Sequence, residues 1–252
     1  MNMPPRIAIP MPHSTDLKYG ERALPQYARA VELAGGEPVT IPLDKPPAEV
    51  MKLIERCDGV LLPGSNADVD PAKYDAPRHP KTEASDPRRD TVDELLLQDA
   101  YNMHKPVLGI CYGLQILNVY RSGTLIQHIE SKINHEAGRT VPVAHMIEIT
   151  PGSLLAEIVK SPDSSKITIP TNSSHHQSAD VIGDGLRTVA RCPEDGIIEA
   201  VEGTTPDHFV LAVQWHPERS VDIDERSRAI FRALVEAAET HHSNLAGEFE
   251  TV

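Results

Sequence analysis

Residues 106–121, PVLGICYGLQILNVYR, decide the fold because they predict a buried strand that turns directly into a helix. The apolar run over 107–110 predicts the strand. Beyond Cys111, apolar residues resume with helical spacing at positions 114, 116, 117 and 119. Cys111 is therefore expected on the turn itself, with Gly109 and Gly113 two residues to either side.

The pattern G-x-C-x-G is the thiol form of a nucleophile elbow. The turn is tight, so the flanking positions must be small, and glycine meets that need. A thiol at a helix N-terminus lies beside free N–H groups, which favour its anion and can hold an oxyanion. The N–H of Tyr112 is the expected donor. The alternative is an ordinary buried cysteine, which is a common small apolar residue.

Composition and charge exclude some classes of protein and favour others. The chain has 252 residues, of which 40% are hydrophobic and 24% charged, as in an ordinary globular protein. Its net charge of −13 argues against nucleic acid as a partner, because such partners require a basic surface. Three cysteines, Cys57, Cys111 and Cys192, favour free thiols in a reducing compartment. We find no membrane span or secretory leader, and expect a cytoplasmic protein without a membrane partner.

Strands and helices alternate through the first half of the chain. Strands are predicted over 6–10, 38–41, 58–64 and 107–110, helices over 25–34, 47–57 and 89–103, and polar loops over 11–24 and 65–89. This alternation predicts an α/β fold, with a mostly parallel central sheet and helices on both faces. Active sites in such sheets lie at the carboxyl ends of the strands.

The pattern changes in the second half. Strands are predicted over 143–149, 186–191, 196–201 and 209–214, with helices over 154–159 and 222–240. Closely spaced strands predict a small antiparallel extension of the sheet. No linker divides the chain, so we expect a single domain over 1–240 and a polar tail over 241–252.

A cysteine nucleophile needs a base, and the base needs a partner that orients it. The segment QWHPE at 214–218 directly follows a predicted strand. Pro217 favours an extended backbone at His216, and residues two apart in an extended chain point the same way. His216 and Glu218 are therefore expected side by side, with the carboxylate fixing the imidazole tautomer. A surface turn is the alternative.

The segment TNSSHHQ at 171–177 contains two adjacent histidines, His175 and His176. Adjacent side chains of an extended segment diverge, and no other His/Cys pair has the spacing of metal ligands. A polar substrate-binding loop with one structural histidine is therefore favoured. We predict neither a metal nor a cofactor.

Four segments together resemble the class I glutamine amidotransferase superfamily, and within it the stand-alone gamma-glutamyl-gamma-aminobutyrate hydrolase family. They are PGSNADVDP at 63–71, GICYGLQ at 109–115, NSSHHQ at 172–177 and VQWHPE at 213–218. Their order and spacing match over roughly residues 5 to 240. The resemblance implies a flavodoxin-like fold and a hydrolase that cleaves a linear amide, active in polyamine or putrescine catabolism.

The resemblance also implies roles for individual residues. Cys111 would attack a γ-glutamyl amide, His216 would move the proton, and Glu218 would orient His216. Water would then release glutamate from the thioester. Gly64 and Tyr112 would supply the oxyanion hole. The glutamyl part would be contacted by Ser65, Gln115, Ser174, His175 and His176.

Two positions depart from the family's usual pattern. Tyr112 stands where arginine is usual, and His128 stands where aspartate is usual. Both departures concern the leaving group rather than the reaction, since Cys111, His216 and Glu218 are intact.

Two other functions share this fold. One is a glutaminase subunit that delivers ammonia to a separate synthetase. The other is a non-catalytic binding protein. For the hydrolase, the expected partner is a small γ-glutamyl compound, and a homodimer is left open.

Overall fold

A large mixed sheet forms the centre of the protein in a computed structural model that describes residues 3–159 and 167–250. Within those residues its strands are β1 (Arg6–Pro10), β2 (Glu37–Ile41), β3 (Gly59–Leu62), β4 (Val107–Ile110), β6 (His145–Ile149), β7 (Ile167–Thr171), β9 (Leu186–Arg191), β10 (Ile198–Gly203) and β11 (Val210–Val213). Two further strands, β5 (Leu125–Ile126) and β8 (Ser178–Ala179), form a separate antiparallel pair.

Helices connect these strands and pack on the sheet. They are α1 (Leu17–Leu33), α2 (Pro47–Ile54), α3 (Pro87–Met103), α4 (Tyr112–Tyr120), α5 (Leu154–Val159) and α6 (Glu225–Glu250). The predicted α/β class is confirmed. None of the helices in the described part of the chain has the length and apolar character needed to cross a membrane.

The strand order is β2-β1-β3-β4-β11-β10-β9-β6-β7. The first five strands in this order, β2 to β11, are parallel to one another. The remaining pairs, from β11–β10 to β6–β7, are antiparallel. Strands β3, β4 and β11 are buried throughout, which explains why their sequences are continuously apolar rather than alternating. Because β4 and β11 are parallel neighbours, the residues that follow them meet at one edge of the sheet.

Several predicted boundaries were wrong. Residues 11–24 are not a loop, because α1 begins at Leu17, where the Asp16 side chain accepts from the N–H of Tyr19. Pro25 lies inside this helix, although proline usually marks a helix start. The predicted loop 65–89 contains a short 3-10 helix at Pro71–Tyr74 and the first turn of α3.

The closing helix also differs from the prediction. It continues beyond position 240, where the polar tail was expected, as far as Glu250. His241 Nε2 lies 2.8 Å from the carbonyl oxygen of Met103, so this part of the helix contacts the body of the protein. The tail prediction for residues 251–252 falls outside the described residues.

The antiparallel extension is larger than predicted. Strand β7, ITIPT, was missed because Pro170 interrupts it, and proline is tolerated there because β7 is an edge strand. The pair β5–β8 was missed because strands of two residues carry no periodicity.

The turn between β4 and α4 is as tight as the sequence predicts. A Cβ atom on Gly113 would lie 2.2 Å from the carbonyl oxygen of Leu62, and one on Gly109 would lie 2.7 Å from the carbonyl oxygen of Gly113. The first turn of α4 therefore packs directly on the end of β3.

We predict that Gly113→Ala destabilises the protein by about 1–3 kcal/mol or more, because the added methyl meets backbone that has no room to move. Gly20→Ala is the matched control. Its methyl would meet only the end of the Met11 side chain at 3.5 Å. In a helix interior, alanine is more stabilising than glycine by about 0.5–1 kcal/mol. In urea denaturation, Gly20→Ala should be at least as stable as wild type. Equal stability of the two variants would contradict the packing argument.

Candidate active site

Cys111 has a strained backbone at the edge of the sheet. Its φ of 54° and ψ of −104° are unusual for a residue other than glycine. Such a conformation costs on the order of 1–3 kcal/mol and is typical of functional positions. The N–H of Cys111 donates to the carbonyl oxygen of Val213 at 2.8 Å, which ties the turn to the end of β11.

His216 and Glu218 form a buried pair beyond that same end of β11. His216 Nδ1 lies 2.8 Å from Glu218 Oε1, and the two side chains are 3% and 1% exposed. The predicted pairing is thus present in the geometry. Its local cause is a 3-10 helix at Pro217–Arg219 rather than a fully extended segment.

Asn172 holds the backbone of His216 from the other side. His216 N–H donates to Asn172 Oδ1 at 3.0 Å, and Asn172 Nδ2 donates to the carbonyl oxygen of His216 at 2.9 Å. Asn172 directly follows β7, so the antiparallel extension positions the imidazole. Sequence reasoning placed Asn172 in a polar loop without this role.

Burial controls the protonation of the cysteine and the imidazole. Burial raises the pKa of the Cys111 thiol to about 12, against the opposing effect of Arg219. Burial also lowers the pKa of His216, although Glu218 opposes the change. At neutral pH the structure therefore holds a thiol and a neutral imidazole. The N–H of Tyr112 at the helix N-terminus favours the anion, as expected, but desolvation outweighs this effect.

Glu218 remains ionised at neutral pH. Burial alone would raise its pKa, but the neighbouring His216 and Arg219 bring that pKa below its usual value. Arg219 also donates from Nη1 to Ser174 Oγ at 2.8 Å, so it connects the buried pair to the wall of a neighbouring cavity. Sequence reasoning did not single out Arg219, whose one signal was its place directly after Glu218.

Gly64 lies beside the imidazole, since a Cβ atom there would be 3.1 Å from His216 Cε1. Its N–H donates to Tyr27 Oη at 3.0 Å. The Gly64 N–H could bind an oxyanion only if its hydrogen bond to the Tyr27 hydroxyl were broken. The N–H of Tyr112 interacts with the Cys111 thiol and lowers its pKa. The oxyanion roles of Gly64 and Tyr112 stay predictions.

A cavity of about 280 Å³ opens at Cys111. Its lining includes every residue that the sequence proposed for substrate contact, namely Ser65, Gln115, Ser174, His175 and His176. Three carboxylates, those of Asp68, Glu83 and Glu136, also line it. A larger cavity of about 810 Å³ lies at the opposite end of β4, where its lining includes Pro106 and His208. It is remote from Cys111.

The cavity-lining side chains are held by specific contacts. Gln115 Nε2 donates to the carbonyl oxygen of Gln177 at 3.2 Å. His176 Nε2 lies 3.1 Å from Asp68 Oδ2, and this contact raises the pKa of His176. His128 Nδ1 lies 3.3 Å from His176 Nδ1. The departure at position 128 therefore places an imidazole against a cavity residue.

The two adjacent histidines diverge, as predicted for an extended segment. His176 faces Asp68 at the cavity, whereas His175 Nε2 lies 3.7 Å from Glu199 Oε1 in the interior. His175 Nδ1 lies 2.9 Å from the carbonyl oxygen of Gln177. His175 therefore joins the cavity wall to a buried cluster of polar groups.

Tyr112 lines the cavity, but its side chain is buried. Its hydroxyl donates to Asp90 Oδ1 at 2.6 Å, and the Arg89 guanidinium lies 5.0 Å from the centre of its ring. Arg89 is fully buried and pairs with Asp93 at 2.8 Å. It also donates to the carbonyl oxygen of Pro63 at 2.8 Å, so it holds the turn that carries Gly64.

Comparison with known proteins identifies the family of this chain. The model of the peptidase C26 family matches residues 8–218. Rv2859c of Mycobacterium tuberculosis, provisionally named a glutamine amidotransferase, is 39% identical over 217 residues. The match covers 84% of this chain and 66% of that relative, just under two thirds of its length. Gamma-glutamyl-gamma-aminobutyrate hydrolase PuuD of Escherichia coli K12 is 32% identical over 227 residues, 86% of each chain.

The fold has a counterpart among solved structures. A Thermoplasma acidophilum protein, provisionally named as one of the subunits of GMP synthase, superposes with a TM-score of 0.63 over 98% of this chain and 100% of that one. At 15% identity this likeness shows the fold alone. The architecture is that of the class I glutamine amidotransferase-like proteins. The chain belongs to the peptidase C26 family, a family of hydrolases within that class.

We predict that Arg89→Met destabilises the protein by about 3–5 kcal/mol at pH 7, because it leaves the Asp93 carboxylate buried without its cation. The double variant Arg89→Met/Asp93→Leu removes both charges and should recover a large part of the loss. Urea denaturation midpoints measure both changes. A double variant no more stable than Arg89→Met would show that the lost bonds to the Pro12 and Pro63 carbonyls dominate instead.

Proposed function

We propose that the protein hydrolyses the γ-glutamyl amide bond of a small compound, such as γ-glutamyl-γ-aminobutyrate, and releases glutamate and an amine. The observation that carries this proposal is the strained Cys111 turn at the end of β4, beside the buried His216–Glu218 pair at the end of the neighbouring strand. A nucleophile, a base and a group that orients the base are the parts that covalent amide hydrolysis requires.

The protonation states support a stepwise role for His216. Glu218 accepts from Nδ1 of the imidazole, which leaves Nε2 free to act as a base. As Cys111 Sγ bonds to the substrate carbonyl carbon, the thiol proton passes to Nε2 and the carbonyl oxygen becomes an oxyanion. Collapse of this intermediate breaks the C–N bond, and the leaving amine takes the proton from His216. A γ-glutamyl thioester remains on Cys111.

Water completes the reaction through the same groups. His216 removes a proton as the water oxygen bonds to the thioester carbon, and the C–S bond breaks when the second oxyanion collapses. The departing sulfur recovers its proton from the imidazole. Glu218 stays ionised in both halves and stabilises the imidazolium that forms in each.

The cavity suits the zwitterionic end of a glutamyl group. Its carboxylates, from Asp68, Glu83 and Glu136, offer partners for an α-ammonium group, whereas Ser174 and His176 offer donors for an α-carboxylate. A volume of about 280 Å³ admits a small compound rather than a folded partner. The name of the PuuD relative is consistent with such a substrate.

We predict that Cys111→Ala loses turnover by at least about 10⁴-fold while the chain remains folded, because no other group can form the thioester. Glutamate release is followed with γ-glutamyl-γ-aminobutyrate, other γ-glutamyl amines and glutamine. Cys57→Ala is the matched control, since Cys57 is a buried thiol that precedes β3 at the other end of the sheet. It should retain wild-type rates.

The substrate panel also separates the candidate functions. Turnover of γ-glutamyl amines by the isolated chain supports the hydrolase. If no compound is turned over while Cys111 is still labelled by a thiol reagent, the result would favour a glutaminase that depends on a synthetase. Wild-type rates from Cys111→Ala would refute the mechanism.

We predict that kcat/KM falls only below about pH 6.5, because burial lowers the pKa of His216 and the base must be neutral. Glu218→Gln should reduce the maximal kcat/KM, reached above the acid limb, by about 10²–10⁴-fold. It should also move the acid limb to lower pH, because it removes the carboxylate that stabilises the imidazolium. A full pH profile of both proteins checks this. An acid limb that moves upward in Glu218→Gln would contradict the pairing.

A further inference from the structure

A cluster of four buried ligand-type side chains lies behind the cavity. His135 comes from the segment between β5 and β6, His145 from β6, His175 from the segment after β7, and Glu199 from β10. Their exposed fractions are 3%, 6%, 5% and 0%. One nitrogen from each ring and a carboxylate oxygen of Glu199 all lie within 4.8 Å of one another.

The outer nitrogen of each ring is already matched to an acceptor. His135 Nε2 lies 2.9 Å from Asp195 Oδ2, and His175 Nδ1 lies 2.9 Å from the carbonyl oxygen of Gln177. His145 Nδ1 lies 3.2 Å from the carbonyl oxygen of Met146. Since these oxygens only accept, each neutral ring carries its proton on the outer side. The lone pairs of the inner nitrogens therefore face Glu199.

Among the residues that the structure describes, the inner atoms have no hydrogen-bond partner. These are His135 Nδ1, His145 Nε2, His175 Nε2 and both carboxylate oxygens of Glu199. Three lone pairs directed at a carboxylate repel it unless a positive charge, from a metal ion or from a protonated ring, lies between them. A ring that binds a metal through one nitrogen typically donates from the other to a carboxylate or a carbonyl, which is the pattern here.

The separations from Glu199 are those expected between two ligands of one tetrahedral ion. Glu199 Oε1 lies 3.4 Å from His135 Nδ1, 3.3 Å from His145 Nε2 and 3.7 Å from His175 Nε2. These separations are longer than good hydrogen bonds. Ligands about 2.0–2.1 Å from a tetrahedral zinc ion lie about 3.4 Å apart.

We propose that His135, His145, His175 and Glu199 bind one Zn²⁺ ion in a closed structural site. All four positions are supplied by the protein, so the ion has no open position for water or substrate, as in structural rather than catalytic zinc sites. Imidazole and carboxylate ligands in tetrahedral geometry favour zinc over calcium or magnesium, which take more oxygen ligands.

The ion would fix the substrate-facing segment. His175 lies between Ser174 and His176 in the cavity wall, and its N–H donates to the carbonyl oxygen of His135 at 2.9 Å. The backbone carbonyl of Glu199 accepts from the N–H of Gln214 at 2.8 Å, close to His216. The metal would therefore join the cavity wall to the strand that leads to the imidazole.

The test is zinc stoichiometry by mass spectrometry of the purified full-length chain after gel filtration. All chains carry Cys111→Ala, which removes the cavity thiol as a competing ligand. We expect about one zinc per chain, falling below about 0.1 in Glu199→Gln and His145→Gln. Glu199→Gln keeps the side-chain shape, and its amide can donate to the ring lone pairs, so the variant is expected to fold without metal.

His208→Gln is the matched control. His208 is a buried histidine outside the cluster, with Nε2 2.9 Å from the carbonyl oxygen of Lys105, and this variant should keep its zinc. After removal by a chelator, added Zn²⁺ should raise the Tm by on the order of 10 °C, but should leave Glu199→Gln unchanged. A folded Cys111→Ala chain that takes up less than about 0.1 zinc, or equal zinc in that parent chain and in its Glu199→Gln variant, would overturn the proposal.

Discussion

The site depends on one close approach of backbone to backbone. The first turn of α4 packs against the end of β3 so tightly that Gly113 has no room for a side chain beside the Leu62 carbonyl oxygen. The chain leaves β4 and enters that helix through Cys111, which has a positive φ. Strain at the cysteine is therefore a consequence of helix packing, and it fixes the thiol at the sheet edge beside the end of β11.

Burial then determines how the groups at this edge can react. A thiol whose pKa is raised and an imidazole whose pKa is lowered do not form an ion pair at rest. Glu218 is already ionised, but the thiol and the imidazole would become charged only as the substrate carbonyl is attacked, when Glu218 can stabilise the imidazolium. Other fixed charges, those of Arg219 and of the Arg89–Asp93 pair, hold backbone and hydroxyl groups in position.

Local sequence signals predicted the parts of this structure that local packing decides. The apolar run before Cys111, its flanking glycines and the His216–Glu218 spacing are each set within a few residues, and the structure agrees with them. The start of α1 was missed because Pro25 resembles a helix start, although the capping carboxylate of Asp16 lies earlier in the chain. Strand β7 was missed because an edge strand tolerates a proline that a central strand would not.

The buried histidines could not be predicted because tertiary structure alone brings them together. His135, His145, His175 and Glu199 come from four segments of the antiparallel extension, and no short spacing links them. The predicted divergence of His175 and His176 was correct, but it argued only against one ion shared by those two residues. It left His175 free to meet partners from distant strands. A histidine pair that fails as a local metal motif can thus supply one ligand to a site built by the sheet.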